Sequence, residues 1–341
     1  MSETKMTFAS LTRISDLEDI PFTLDVLPRD RWATGDYVIG EVTQTSPNRQ
    51  IELSTGRMIE VSIGDLVVGA FGFRAATLES VGSWQDIPDD GRMHAMTAAG
   101  LIGAVTSRSS FVGEPIHLEY RGHVTRGVQK VTMQDFVGAS APATIDLPVV
   151  LLIGTSMSSG KTTSAKVIIR RLKKRGLRVT AAKFTGAGRY RDVLSMSDAG
   201  ADAVFDFVDA GLPSTVCERD VYQRAFDTLV GRIVETNPDV IVAEAGASPI
   251  EPYNGQVAVQ GLSHGRRFTV LCASDPYAVI GVTKGFGFQP DLVTGICTST
   301  SAGVKVVRSL VQAAALNLTN PASLPELDQL LIESLGIGPQ T

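Results

Sequence analysis

The sequence predicts an α/β protein, with a doubly wound parallel sheet in its C-terminal part and a smaller β-rich domain before it. Three observations predict this. From residue 148 onward, continuous apolar runs alternate with helix-like segments, the pattern of a parallel sheet covered on both faces. Before residue 137, short β-rich runs are punctuated by glycine, at turn spacings of roughly 8–12 residues that suit a small barrel or sandwich. The run Val149–Ile153 feeds Gly154-Thr155-Ser156-Met157-Ser158-Ser159-Gly160-Lys161-Thr162-Thr163 and then a helix-like segment. Strand, glycine-rich turn and helix N-terminus are the context of a phosphate loop (P-loop).

Taken in order, the β-rich runs are Tyr37–Thr43, Arg49–Leu53, Met58–Val61, Asp65–Phe71, Ile116–Tyr120 and Val128–Thr132, with a short helix at Ala95–Leu101. Residues 137–147 mix small residues with proline and lack periodicity, so they read as a linker. The expected domains are therefore 1–136 and 148–341. In the second, strands are predicted at 149–153, 178–184, 239–243, 268–273 and 291–297, and helices at 161–175, 218–236, 275–285, 301–315 and 323–335. The connections 185–217 and 245–267 are long, and loops of that length in a compact domain are usually functional or mobile. Ligands of such sheets sit outside the carboxyl ends of the strands.

Composition narrows the partners. With 43% hydrophobic and 20% charged residues, the 341-residue chain has the make-up of an ordinary globular protein. A net charge of −5 argues against a nucleic-acid partner. The basic run Arg170–Arg175 closes the helix after the loop, where cations complement the helix dipole. No stretch approaches the ~18 apolar residues that span a bilayer, and Met1–Arg13 lacks a signal-peptide core. Cys217, Cys272 and Cys297 form no Cys-x-x-Cys pair, which points to a reducing compartment and hence the cytoplasm.

The candidate site grows from the loop. Its backbone N–H groups and the helix dipole favour a polyphosphate. Lys161 is placed to reach the terminal phosphates and the Thr162 hydroxyl to ligate Mg²⁺. Thr155, Ser158, Ser159, Gly160, Lys161, Thr162 and Thr163 are the expected cofactor-binding residues. Five residues, where the usual spacing has four, separate Gly154 from Gly160, so Thr155 takes the place of the first glycine. Glu244 ends an apolar strand; an unpaired carboxylate there is costly, and binding Mg²⁺ or pairing with a lysine removes the cost. Lys183 ends another, where a salt bridge to Glu244 or an aspartate is the alternative to ligand binding. Asp192 and Asp198 compete as a further metal-coordinating carboxylate, Asp192 lying beside arginines able to clamp an anion. His264 is open to a structural or a general-base role. His94, His117 and His123 show no metal-ligand spacing, and His123, in the most polar setting of the three, is a candidate substrate-facing residue at the domain junction.

These motifs carry two resemblances. Gly-Thr-(five residues)-Gly-Lys-Thr resembles the phosphate loop of dethiobiotin synthetase and its relatives, the cobyrinate amidases and the molybdenum-cofactor accessory GTPases. Lys183-Phe184-Thr185-Gly186 is similar to the synthetases' Lys-Pro-Val-x-x-Gly, Glu244-Ala245-Gly246-Ala247-Ser248 to their Glu-Gly-Ala-Gly-Gly, and Ser197-Asp198-Ala199 to their Asn-Ser-Asp-Ala. The resemblance implies that Lys183 holds the substrate's anionic group and that Glu244, Thr162 and Asp198 serve Mg²⁺, with Lys161, Lys183 and Glu244 catalytic. The synthetases' adenine-recognising Asn-Asp pair is absent, its place taken by Gly295-Ile296-Cys297-Thr298-Ser299. The segment Glu244–Gly265 and the run Asp202–Val208 also resemble a group of bacterial proteins with a C-terminal phosphate-loop domain, some of them D-amino-acid (D-glutamate) N-acetyltransferases.

The first resemblance implies an ATP- and Mg²⁺-dependent enzyme acting on a small anionic metabolite by phosphoryl transfer or ligation. The second implies an N-acyltransferase of a small amino acid whose loop grips the phosphates of acetyl-coenzyme A. A non-catalytic nucleotide-binding module is a third reading. The first domain is expected to supply specificity or an oligomer contact, with a homodimer as one outcome.

Overall fold

The computed structural model describes residues 5–45, 49–141, 143–246 and 248–337. The chain forms two compact units: Met1–Ala139 with Ala187–Arg191 and Phe207–Ala225, and Ser140–Gly186 with Asp192–Asp206 and Phe226–Thr341. The second unit is thus not the continuous segment 148–341, because two stretches after its second strand belong to the first. Of the expected linker, Pro142 lies outside the described residues.

From residue 149 the chain alternates strand and helix: β1 (Val149–Gly154), α1 (Lys161–Lys173), β2 (Val179–Thr185), α2 (Tyr190–Asp198), β3 (Ala203–Asp206), α3 (Arg219–Glu235), β4 (Val240–Ala245), α4 (Gly255–Gly261), β5 (Arg267–Cys272), α5 (Pro276–Phe286), β6 (Leu292–Thr294), α6 (Ser301–Leu310), β7 (Ala314–Ala315) and α7 (Leu324–Leu335). All of these belong to the second unit except the starts of α2 and α3, through Arg191 and Ala225. Among the described residues its sheet has the order β3-β2-β4-β1-β5-β6-β7, and every pairing is parallel. The central strands are buried on both faces, which is why they read as unbroken apolar runs.

In α1 the buried residues Ala165, Ile168, Ile169 and Leu172 recur at helical spacing and pack on one sheet face with Leu327, Leu331 and Leu335 of α7. Truncating Leu172 to Ala there costs about 2–5 kcal/mol. On α3, Phe226 meets Phe184 of β2, the ring centroids 5.4 Å apart. The last predicted strand stops at Thr294 instead of 297, because Gly295 turns the chain at φ +99° into a 3-10 turn. The helix predicted to 315 ends at Leu310, and Ala314–Ala315 pairs with β6. The two long connections carry α2, β3 and α4, which the apolar pattern did not disclose.

In the first unit, Tyr37–Gln44 pairs with Leu66–Phe71 and Ile116–Arg126. Ile116–Arg126 pairs with Arg92–Ala95, and Arg92–Ala95 with Leu101–Arg108. Leu101–Arg108 returns in parallel to Leu66–Phe71, which closes a ring of strands around Val38, Val42, Val67, Phe71, Met93, Ile102 and Leu118. The helix expected at Ala95–Leu101 does not form. Met93 and Ala95 face the core on a strand, and the chain turns at Gly100, whose φ of +84° and closeness to Ala9 (2.3 Å from an added Cβ) admit only glycine.

Candidate functional site

The loop between β1 and α1 is built by left-handed residues. Ser158 (φ 61°) and Gly160 (φ 101°) take the left-handed conformation just before α1, the kind of backbone from which anion-binding nests are built at a helix N-terminus. Ser159 is fully buried, and its hydroxyl is without a hydrogen-bond partner. Lys161 is buried, and its Nζ donates to the Ser156 carbonyl at 2.8 Å, so the ammonium lies across the loop. Burial lowers its pKa, and the Glu244 carboxylate opposes that. Gly154 keeps a structural reason for being glycine: an added Cβ would stand 2.5 Å from Lys161 Nζ and 2.7 Å from Ser159 Oγ. Thr155 faces another way, its amide donating to the Cys272 carbonyl (3.0 Å) and its hydroxyl accepting from the Ser274 amide (3.1 Å).

Register assembles the charged residues. Leu152 of β1 pairs with Glu244 of β4, Glu244 with Lys183 of β2, and Lys183 with Asp206 of β3. The Thr162 hydroxyl donates to Glu244 Oε2 at 3.2 Å. Burial raises the pKa of Glu244, while the ammonium groups of Lys161 and Lys183 pull it down. Lys183 Nζ meets Asp192 Oδ2 of α2 at 2.6 Å. Burial works against its charge, yet the carboxylates of Asp192 and Glu244 outweigh it and leave the Lys183 pKa raised. Gly246 lets the chain after β4 pass over the end of β2, since a Cβ would sit 2.1 Å from the Thr185 carbonyl oxygen.

Lys161, Thr162 and Glu244 therefore meet, with Lys183 and Asp192 adjoining. Asp198 does not join them: it is exposed at the other end of α2, six residues or about 9 Å along the axis from Asp192. Ser158 and Thr163 are exposed, as is His264. Ala247 lies outside the described residues. Two acidic residues join the site that were not singled out from the sequence. Asp206 is fully buried beside Lys183, and Glu251 accepts from the Ser248 amide at 2.7 Å while its charge supports that of Lys161. Their only signal was their place inside the two segments whose sequence resembles that of the N-acetyltransferase group.

In the first unit His123 is fully buried, with Nε2 3.3 Å from Asp36 and Nδ1 2.5 Å from the Tyr120 hydroxyl, so it is a core residue and not a substrate-facing one. His94 and His117 are cross-strand partners with ring centroids 4.7 Å apart. Burial pushes the Cys272 thiol up to about 12, as suits a packing role. Among the described residues, no group of three or more His, Cys, Asp or Glu side chains could hold a metal ion, and no helix is long and apolar enough to cross a membrane.

No family profile and no characterised protein sequence matches the chain. Solved structures similar to it include chloroplast FtsY from Physcomitrella patens (16% identity, TM-score 0.35, 59% of this chain and 68% of that one). A DUF1611-family protein from Anabaena variabilis is 14% identical, with a TM-score of 0.40 over 57% of this chain and 61% of its own. The signal recognition particle 54 kDa protein of Aeropyrum pernix, solved in complex with GDP, is 16% identical, with a TM-score of 0.33 over 59% of this chain and 53% of its own. The chain thus spans less than two thirds of the latter two. The geometry of the second unit by itself is a parallel sheet whose central strand β1 runs through a glycine-rich loop into α1, the arrangement of a phosphate-loop α/β fold.

Proposed function

We infer that the second unit binds a nucleoside triphosphate with Mg²⁺ and transfers its terminal phosphoryl group to a small anionic metabolite. One observation carries this reading: the Thr162 hydroxyl and the Glu244 carboxylate lie 3.2 Å apart beside the buried Lys161. A hydroxyl and a carboxylate are hard oxygen donors, and Mg²⁺ needs only one or two of them beside phosphate and water. Thr162 and Glu244 would hold the ion, which when bound neutralises charge on the phosphate oxygens. Lys161, freed from Ser156, neutralises the terminal phosphate, and the loop amides hold the chain of phosphates in line. Lys183 orients the acceptor by placing its positive charge against the metabolite's anionic group. Such a site works by positioning and charge neutralisation.

The resemblance to the synthetases favours ATP. Titration calorimetry with Mg-ATP, Mg-GTP and acetyl-coenzyme A tests the reading. Binding of a triphosphate that disappears in Lys161→Ala is the expected result. Heat from neither triphosphate overturns the proposal, and heat from acetyl-coenzyme A alone transfers it to the N-acyltransferase reading. Triphosphate binding without turnover across a metabolite screen would leave a nucleotide-binding module.

A further inference from the structure

We propose that Thr155 is a positioning residue for the phosphate loop: its hydroxyl takes the part of a main-chain carbonyl and keeps the first residue of the loop laced to the turn between β5 and α5. The inference rests on the reading of the loop as a triphosphate site and deepens it. All the residues concerned belong to the second unit.

β1 and β5 pair in parallel up to Gly154 and Cys272. One further step of a parallel ladder takes two bonds, from the Thr155 amide to the Cys272 carbonyl and from the Ser274 amide to the Thr155 carbonyl. The first is made, at 3.0 Å. For the second, the Ser274 amide donates at 3.1 Å to the Thr155 hydroxyl oxygen. The side chain thus completes the step, and the main chain is released one residue early to turn into the loop. The Ser274 hydroxyl lies 3.3 Å from that of Thr155 and donates to the Asp275 carboxylate at 3.2 Å. Asp275 in turn accepts from the Tyr277 and Ala278 amides as the N-cap of α5.

This explains the residue found where the usual loop carries its first glycine. The positive φ angles of the loop fall on Ser158 and Gly160, so position 155 does not call on glycine's freedom. It calls for an oxygen on Cβ. Glycine or valine would leave the part-buried Ser274 amide without that acceptor, and an amide left unpaired away from water costs more than its bond contributes. At the far end the loop is held by α1, whose Ser164 amide donates to the Gly160 carbonyl at 2.9 Å. Thr155 holds the entrance as that bond holds the exit, and residues 156–159 are strung between the two.

Amide hydrogen exchange in the nucleotide-free protein reads both ends. In Thr155→Val the Ser274 amide should exchange about fivefold faster, the worth of one net hydrogen bond, and the Ser164 amide should quicken with it. Thr155→Ser keeps the oxygen and should restore both rates. Calorimetry with Mg²⁺ and inorganic triphosphate should follow the same order, with Thr155→Val about fivefold weaker than the parent and Thr155→Ser close to it. Faster exchange at Ser274 with Ser164 exchange and triphosphate affinity unchanged would make Thr155 a prop of the β5–α5 turn alone and overturn the proposal. Unchanged exchange at Ser274 in Thr155→Val would overturn it at its first bond. Should Thr155→Val fail to fold, Thr155→Gly removes the same oxygen, and the same outcomes decide. A parent that binds no triphosphate defeats the functional reading, while the two exchange rates still decide whether Thr155 holds the loop.

Discussion

Replacing Gly154 with alanine tests the loop at the point where its spacing is unusual. An added Cβ would lie 2.5 Å from Lys161 Nζ, 2.7 Å from Ser159 Oγ and 2.8 Å from Lys161 Cδ. All are closer than carbon tolerates, and both neighbours are buried. Ser159 cannot withdraw into solvent, so Lys161 must swing off the loop or the loop must open. Forcing one methyl group into such packing costs about 1–3 kcal/mol, and each ~1.4 kcal/mol is tenfold in affinity. Gly154→Ala should therefore bind Mg-ATP about 5- to 140-fold more weakly by calorimetry. The control is Gly113→Ala, whose Cβ meets nothing within 4 Å, and it should bind like the parent. If Gly154→Ala binds within about twofold of the parent, the loop does not hold Lys161 for a phosphate, and the phosphate-loop reading of this spacing falls.

Glu244→Gln keeps the shape of the Thr162 contact but removes the charge; phosphoryl transfer should slow about 10²-fold with folding intact, and equal turnover in the variant would make Glu244 structural. Gly246→Ala sets a Cβ 2.1 Å from the Thr185 carbonyl oxygen and 2.7 Å from Lys183 Cε, so it should destabilise by about 1–3 kcal/mol in urea melts, whereas unchanged stability would show that the strand ends give way. His94 is pushed down to about 4 from 6.5 by burial and by His117. The unfolded chain thus takes the proton first, and stability is full above pH 6.5 and is lost as pH falls toward 4. The linkage bound of about 3 kcal/mol shrinks to roughly 1 kcal/mol for a half-exposed ring. That increment should be missing from the pH 5 to 7.5 difference in His94→Gln, and an unchanged slope would assign the acid sensitivity elsewhere.

The parallel sheet and its loop were legible because their signals are local: β1, β2, β4 and β5 are apolar runs, and Gly-Lys-Thr follows the first directly. What was hidden depends on distance in sequence. The buried residues of α2 are Val193 and Met196 only, and its cap comes from Glu52, so neither stripe nor start signal marks it. The motif similarity favoured Asp198 over Asp192, but the phase of α2 sets Asp198 at its exposed end and Asp192 against Lys183. The run through Gly295 looked continuous because positive φ leaves no trace in an apolar pattern. In the first unit, Ala95–Leu101 is rich in helix formers, and only closure of the ring, with Gly100 against Ala9, overrides that preference.

The interleaving of the two units bears on how the chain is made. Ala187–Arg191 and Phe207–Ala225 belong to the first unit, whose leading segment ends at Ala139. A ribosome that has released residue 139 must add 86 more (225 − 139) before the first unit has all its parts, roughly 4–17 s at ordinary elongation rates. Through that interval Glu52 has no Tyr190 or Arg191 amide to receive, and its buried carboxylate stands uncapped. The nascent first unit is thus an incomplete barrel that waits for a stretch encoded inside its neighbour. Fragments cut at residue 139 or 148 should inherit the same deficiency permanently.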